Sequence, residues 1–206
     1  MTLRLSSCVA TEGYIGDLEG PGHVPFQLCV RRLIGHSRNI DMNNAQRLID
    51  VFDNKEKFEV INGVFDLYAD INNLINIANM SKDEIIVTLI WHSGGIISNG
   101  GFSYLLEGDF NGDIGYTITA ECFNKIGAVK SYNAFLGVFS LFPESKIPVN
   151  RKERIKIYEC ADQELRKRLD REFWDDDEVM RGKLFEYIME NKNRIIDDIS
   201  RRLTSR

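Results

Sequence analysis

No apolar run in this chain is long enough to cross a bilayer. The longest strongly apolar stretch, Ile85 to Trp91, spans seven residues, where about twenty are needed. The opening MTLRLSSCVATEGYIGD carries one arginine and lacks an apolar signal core. Proline is scarce, with four in the chain, and isoleucine and asparagine are abundant, which argues against a disordered tail. Cysteine is equally sparse. Cys8, Cys29, Cys122 and Cys160 lie far apart with no Cys-x-x-Cys pair, a pattern of free thiols in a reducing compartment rather than a disulfide framework or zinc site. Together these absences point to a cytoplasmic protein without membrane association. A basic excess is missing as well: 26 Lys and Arg stand against 31 Asp and Glu, a net charge of -5 that disfavours direct nucleic-acid binding. No lysine or arginine lies between Lys82 and Lys125. The glycine-rich WHSGGIISNGGF at 91–102 therefore lacks the closing Gly-Lys-Ser/Thr of a phosphate loop, and its spacing does not fit the dinucleotide pattern. No cofactor is implied.

What is present is helical spacing. Met42, Ala45, Leu48, Ile49 and Phe52 share one helical face behind Asp41, and Ile61, Phe65, Tyr68, Ile71, Leu74, Ile75 and Ala78 extend the pattern. Ser81 and Glu84 form a capping box that predicts a helix over 82–92, stopped by Gly94 and Gly95 and followed by another from Ser98 or Asn99. Two further helices fit YTITAECFNKIGA and SYNAFLGVFSLF, divided near Gly127 and ended at Pro143. Asn150 with Glu153 repeats the cap before a basic helix running towards Arg168. Leu184, Ile188, Ile195 and Ile199 mark one final amphipathic helix. The fold class is all-α, a compact multi-helix domain over 41–206. Residues 1–40, interrupted by Gly13, Gly16, Gly20, Pro21, Gly22, Pro25 and Gly35, form an N-terminal arm of short irregular or β-containing structure.

Two segments carry catalytic or metal chemistry in outline. Asp109, Asn111 and Asp113 occupy positions one, three and five of a calcium loop, but Ile114 stands where the loop needs glycine and Ala120 where it needs glutamate. A capped turn before the next helix uses the same residues. His92 has the titration range of a general base, and with Glu107 or Asp109 beside it would suit a small metal-assisted hydrolase. No nucleophile elbow or Cys/His signature accompanies it.

SNGGFSYLLEG followed by CFNKIGAVKSYNAFLGVFSLFPESKIP resembles a bacterial, all-helical domain family typified by a DNA-mimic protein. The matching positions are Asn99, Gly100, Gly101 and Phe102; Ile126, Gly127 and Ala128; and Phe142 with Pro143, over roughly 60–160. The resemblance implies the fold, a structural role for these motif residues, and a basic or DNA-binding protein as partner. A mimic places carboxylates where its partner expects phosphates. The strongest local cluster is Asp175, Asp176, Asp177 and Glu178, with Phe173 and Trp174 beside it as apolar anchors. Around it the charge is mixed: residues 1–150 hold 17 acids and 11 bases, residues 151–206 hold 14 and 15. These readings describe a non-enzymatic protein-interaction module, regulatory or DNA-mimic-like, with homo-oligomerisation left open.

Overall fold

The computed structural model describes residues 44–72, 76–108 and 112–204. The expectation of an N-terminal arm at 1–40 lies outside the described residues, as do Met42, Leu74 and Ile75. Among those described, the chain forms nine α-helices and two short 3-10 turns, with no strand. The helices are α1 (Asn44–Asp53), α2 (Lys57–Asn72), α3 (Lys82–Glu107), α4 (Thr117–Ile126), α5 (Val129–Phe139), α6 (Arg151–Cys160), α7 (Gln163–Trp174), α8 (Asp177–Glu190) and α9 (Lys192–Thr204).

Helix α3 is the axis of the fold, and α2, α4, α6, α7 and α8 pack around it. It begins as its capping box directs: Ser81 Oγ accepts from the Glu84 amide at 3.3 Å, and Glu84 Oε2 accepts from the Ser81 amide at 3.2 Å. By length and composition α3 is apolar enough to cross a membrane, yet 56% of its apolar window is buried inside the protein. Ile86, Val87, Leu89, Ile90, Ile97, Phe102, Leu105 and Leu106 are all core residues. Each fully buried side chain of this size contributes about 1.5–3 kcal/mol relative to exposure.

The broken ends of α3 are closed by distant groups. At its C-terminus Arg154, fully buried, donates from Nε to the Leu106 carbonyl at 2.6 Å and also donates to the Gly108 carbonyl. Tyr116 Oη donates to the carbonyls of Leu105 and Gly108 at 2.6 and 2.8 Å. A cation at a helix C-terminus also complements the helix dipole. At the N-terminal end, Asp83 receives a bidentate pair from Arg194 at 2.5 and 2.6 Å and a hydrogen bond from Tyr187, while Glu84 pairs with Arg202. Burial pushes the Asp83 carboxyl up, but the bonds from Arg194 and Tyr187 outweigh it and hold its pKa below the usual value. These pairs fasten α9 across the start of α3.

Several boundaries differ from the sequence reading. Gly94 and Gly95 do not stop α3, which continues through them. A Cβ on Gly94 would lie 3.1 Å from Met180 Cε, the flexible tip of a side chain on α8. The break falls instead at Gly100 (φ -156°, ψ 16°) and Gly101 (φ 69°, ψ -171°). The basic helix ends at Cys160, and α7 starts afresh where Asp162 accepts from the Leu165 amide at 2.8 Å. The expected single terminal helix is two, α8 and α9, parted at Asn191, although Leu184, Ile188, Ile195 and Ile199 are all fully buried. Ile49, placed on the inner face of α1 by its spacing, is 52% exposed. Ala78 sits on an exposed 3-10 turn rather than at the end of α2.

Candidate interaction face

In an unbroken helix the Ile97 carbonyl accepts from the Gly101 amide and the Phe102 amide donates to Ser98. With Gly100 and Gly101 out of helical geometry, α7 supplies partners to both. Trp174 Nε1 donates to the Ile97 carbonyl at 2.9 Å, and Asp170 Oδ1 accepts from the Phe102 amide at 2.9 Å. Burial raises the Asp170 pKa, opposed by the Phe102 amide bond and the nearby Arg166. Phe102 turns inward from this corner and meets Phe135 and Phe173 edge-on, with ring centroids 5.2 and 5.7 Å away. Phe123 joins the same cluster. The motif glycines thus make the corner, and the phenylalanine anchors it. Gly127 closes α4 in the left-handed conformation at φ 78°, and Pro143 opens a 3-10 turn.

The segment 173–178 divides between core and surface. Phe173 is fully buried in the aromatic cluster, so it cannot serve as a surface anchor. Asp176 is 2% exposed, and its Oδ2 accepts from the Ser131 amide at 2.9 Å and from Ser131 Oγ at 2.8 Å. It closes the first turn of α5, whose own N-cap, Ala128, has no side-chain acceptor. The expected six-residue face therefore loses these two members for a physical reason: one fills the core and the other satisfies a helix end. Trp174 remains, 44% exposed, with exposed Asp175 and Glu178. Asp177 is half-buried and pairs with Arg181 at 2.7 Å; burial raises its pKa against that pairing.

Three residues that the sequence reading missed extend this surface. α8 runs antiparallel to the first leg of α3, and the Arg181 guanidinium lies over the rings of Phe58 and Trp91 at 5.8 and 5.9 Å. Phe58 is 48% exposed and meets Trp91 edge-on at 5.2 Å. The signal was available in part: Phe58 stands among charged residues at the start of α2, where a core helix would carry a polar side chain outward. Glu178 and Arg181 stand three residues apart on one face of α8, and a strip of partly exposed side chains continues from Arg181 to Trp91 and Phe58. The surface combines aromatic area, carboxylates and one positioned guanidinium.

Among the described residues His92 and Glu107 each have other surroundings. His92 and Glu107 lie on opposite sides of the α3 break, fifteen residues apart in sequence. Burial lowers the His92 pKa to about 4, and its ring packs against Phe65 with centroids 6.4 Å apart. Glu107 meets Arg151 at 3.6 Å. Asp109 and Asn111 lie outside the described residues. Asp113 uses both carboxylate oxygens on the following helix, accepting from the amides of Ile118 and Thr119 and from Thr119 Oγ1. It caps α4, as the turn reading of that segment has it. Among the described residues no cluster of three or more His, Cys, Asp or Glu is arranged to hold a metal ion. A groove of about 320 Å³ between α1 and α2 is lined by Arg47, Asp50, Glu59 and Asp66 without histidine or cysteine.

The chain is an all-helical domain organised on a glycine-broken central helix, with exposed Trp174, Asp175 and Glu178 beside the break. Residues 78–191 match the DMP19-like protein family, and the chain belongs to that DNA-mimic-like family. The match covers α3 through α8, starting later than the 60–160 where the resemblance is strongest and extending towards the C-terminus, and leaves α1, α2 and α9 outside. No curated protein and no solved structure matches the chain.

Proposed function

We propose that this chain is a non-enzymatic interaction module that binds a basic, DNA-binding protein through the exposed face at Trp174, Asp175 and Glu178. The observation that carries the reading is Trp174 itself: a tryptophan 44% exposed, held by a hydrogen bond to Ile97, with exposed carboxylates at Asp175 and Glu178. Half-exposed tryptophans fixed in orientation make efficient central anchors, because little side-chain entropy is lost on binding. The flanking carboxylates guide encounter with a cationic partner and select against acidic ones. Family membership supports the class of partner. In this reading the chain acts in the cytoplasm, as a bacterial regulatory or protective factor that occupies its partner's DNA-binding surface.

The test is affinity capture with the intact chain, followed by titration of the captured protein across salt concentrations. Trp174→Ala should weaken binding at all salt concentrations by about 2 kcal/mol or more, as hot-spot truncations do. Asp175→Lys with Glu178→Lys should weaken binding chiefly at low salt and flatten the salt dependence. Asp176 is left intact in that variant because it closes α5. Unchanged affinity and salt slope in both folded variants would reject the face.

A further inference from the structure

The α3 break and the exposed indole are joined by one short stretch of α7. Asp170 and Trp174 are four residues apart, so they project from the same side of that helix about 6 Å apart along its axis. One accepts from the amide just beyond the corner, and the other donates to a carbonyl just before it. A single rigid turn of helix therefore grips both sides of the glycine corner. The fit is close, since a Cβ on Gly101 would stand 2.7 Å from the Asp170 carboxylate. Trp174 is also the residue whose outer edge faces solvent.

We propose that Asp170 is a positioning residue for the interaction face, acting through the Gly100–Gly101 corner to fix the orientation of the Trp174 indole. The inference rests on the reading that Trp174 contacts the partner, but its mechanical half does not. Removing the Asp170 acceptor leaves the Phe102 amide without its partner across the corner. The first leg of α3 then shifts against α7, and the indole loses its alignment with the Ile97 carbonyl. Replacing Trp174 has the reciprocal effect on the Phe102 amide, because coupling through a shared element is mutual. Asparagine at 170 keeps an acceptor oxygen of the same reach and restores the grip.

The experiment follows hydrogen exchange of the Trp174 indole N–H and the Phe102 amide by NMR in the full chain without any partner. The Trp91 signal is assigned separately with Trp91→Phe. Asp170→Ala should speed indole exchange about tenfold or more, and Trp174→Phe should do the same at the Phe102 amide, as a local opening made easier. Asp170→Asn should stay within roughly twofold of the unaltered chain at both positions. Should Asp170→Ala fail to fold, the Trp174→Phe measurement decides alone. Unaltered exchange at the Phe102 amide in folded Trp174→Phe, or at the indole in folded Asp170→Ala, overturns the proposal. The functional half is read with the captured partner: Asp170→Ala should weaken binding while Asp170→Asn binds as the unaltered chain does. Coupled exchange with unchanged binding in Asp170→Ala overturns the positioning role. Loss of the face reading is seen separately, as indifference of binding to Trp174→Ala with the corner coupling intact.

Discussion

Gly101 adopts φ 69° and ψ -171°, a backbone state that side chains rarely tolerate, with the Asp170 carboxylate where a Cβ would go. Gly101→Ala should therefore cost about 1–3 kcal/mol from backbone strain alone, with the clash at Asp170 added to it. Phe102→Ala empties the centre of the aromatic cluster and should cost about 3–5 kcal/mol. Chemical denaturation of both variants checks these values. An alanine tolerated without loss at either position contradicts the corner as described. Asp66 makes a residue-scale prediction of the opposite sign. Burial first, then Asp70 and Glu59, raise its carboxyl to about 6, with Arg47 opposing. A folded-state pKa above the unfolded value means that its favourable contribution is present at pH below about 4 and is lost as pH rises through about 6. Asp66→Asn should thus stabilise the chain near pH 7–8 by about 1 kcal/mol, after allowance for solvent screening of a partly exposed group, and change little near pH 3.5. Thermal midpoints across that range test it; equal shifts at both ends would contradict it.

Helix ends organise the element scale. α4 and α5 lack side-chain acceptors at their own N-caps, Tyr116 and Ala128, and receive carboxylates from Asp113 and Asp176 instead. Asp170 serves the second leg of α3 in the same way, and Arg154 closes its end. Asp176→Ala should cost about 3 kcal/mol, since it leaves a buried amide and hydroxyl of Ser131 unpaired, whereas Asp175→Ala should fall within about 0.5 kcal/mol of the parent. Denaturant unfolding of the pair separates a capping carboxylate from a surface one. Comparable losses would contradict the assignment. This pattern explains what the sequence made legible. Caps local in sequence, Ser81 with Glu84 and Asn150 at α6, were readable from spacing, as was helical periodicity. Asp176 lies 45 residues from Ser131, whose helix it closes, so its place in an acidic run concealed its role. Gly94 looked like a stop because glycine has poor helix propensity, but the core packing of α3 overrides that preference. The strip around Arg181 needs α2, α3 and α8 together, and no local pattern announces that meeting.

At the scale of the whole molecule, four cations of the C-terminal quarter are engaged by partners within the fold. Arg194 and Arg202 are engaged with Asp83 and Glu84, Arg181 with Asp177, and Arg154 is buried against carbonyls. Asp175 and Glu178 are exposed carboxylates beside Trp174, with exposed Arg171 one turn earlier on α7. In the proposed function a basic DNA-binding protein is held here in place of its nucleic acid. The most direct test is a competition titration, in which duplex DNA is added to the complex of this chain with its captured partner. DNA and the chain should exclude one another. The Asp175→Lys, Glu178→Lys variant should be displaced at lower DNA concentration than the unaltered chain. A stable ternary complex of chain, partner and DNA, or equal displacement of the variant, would contradict the proposed function.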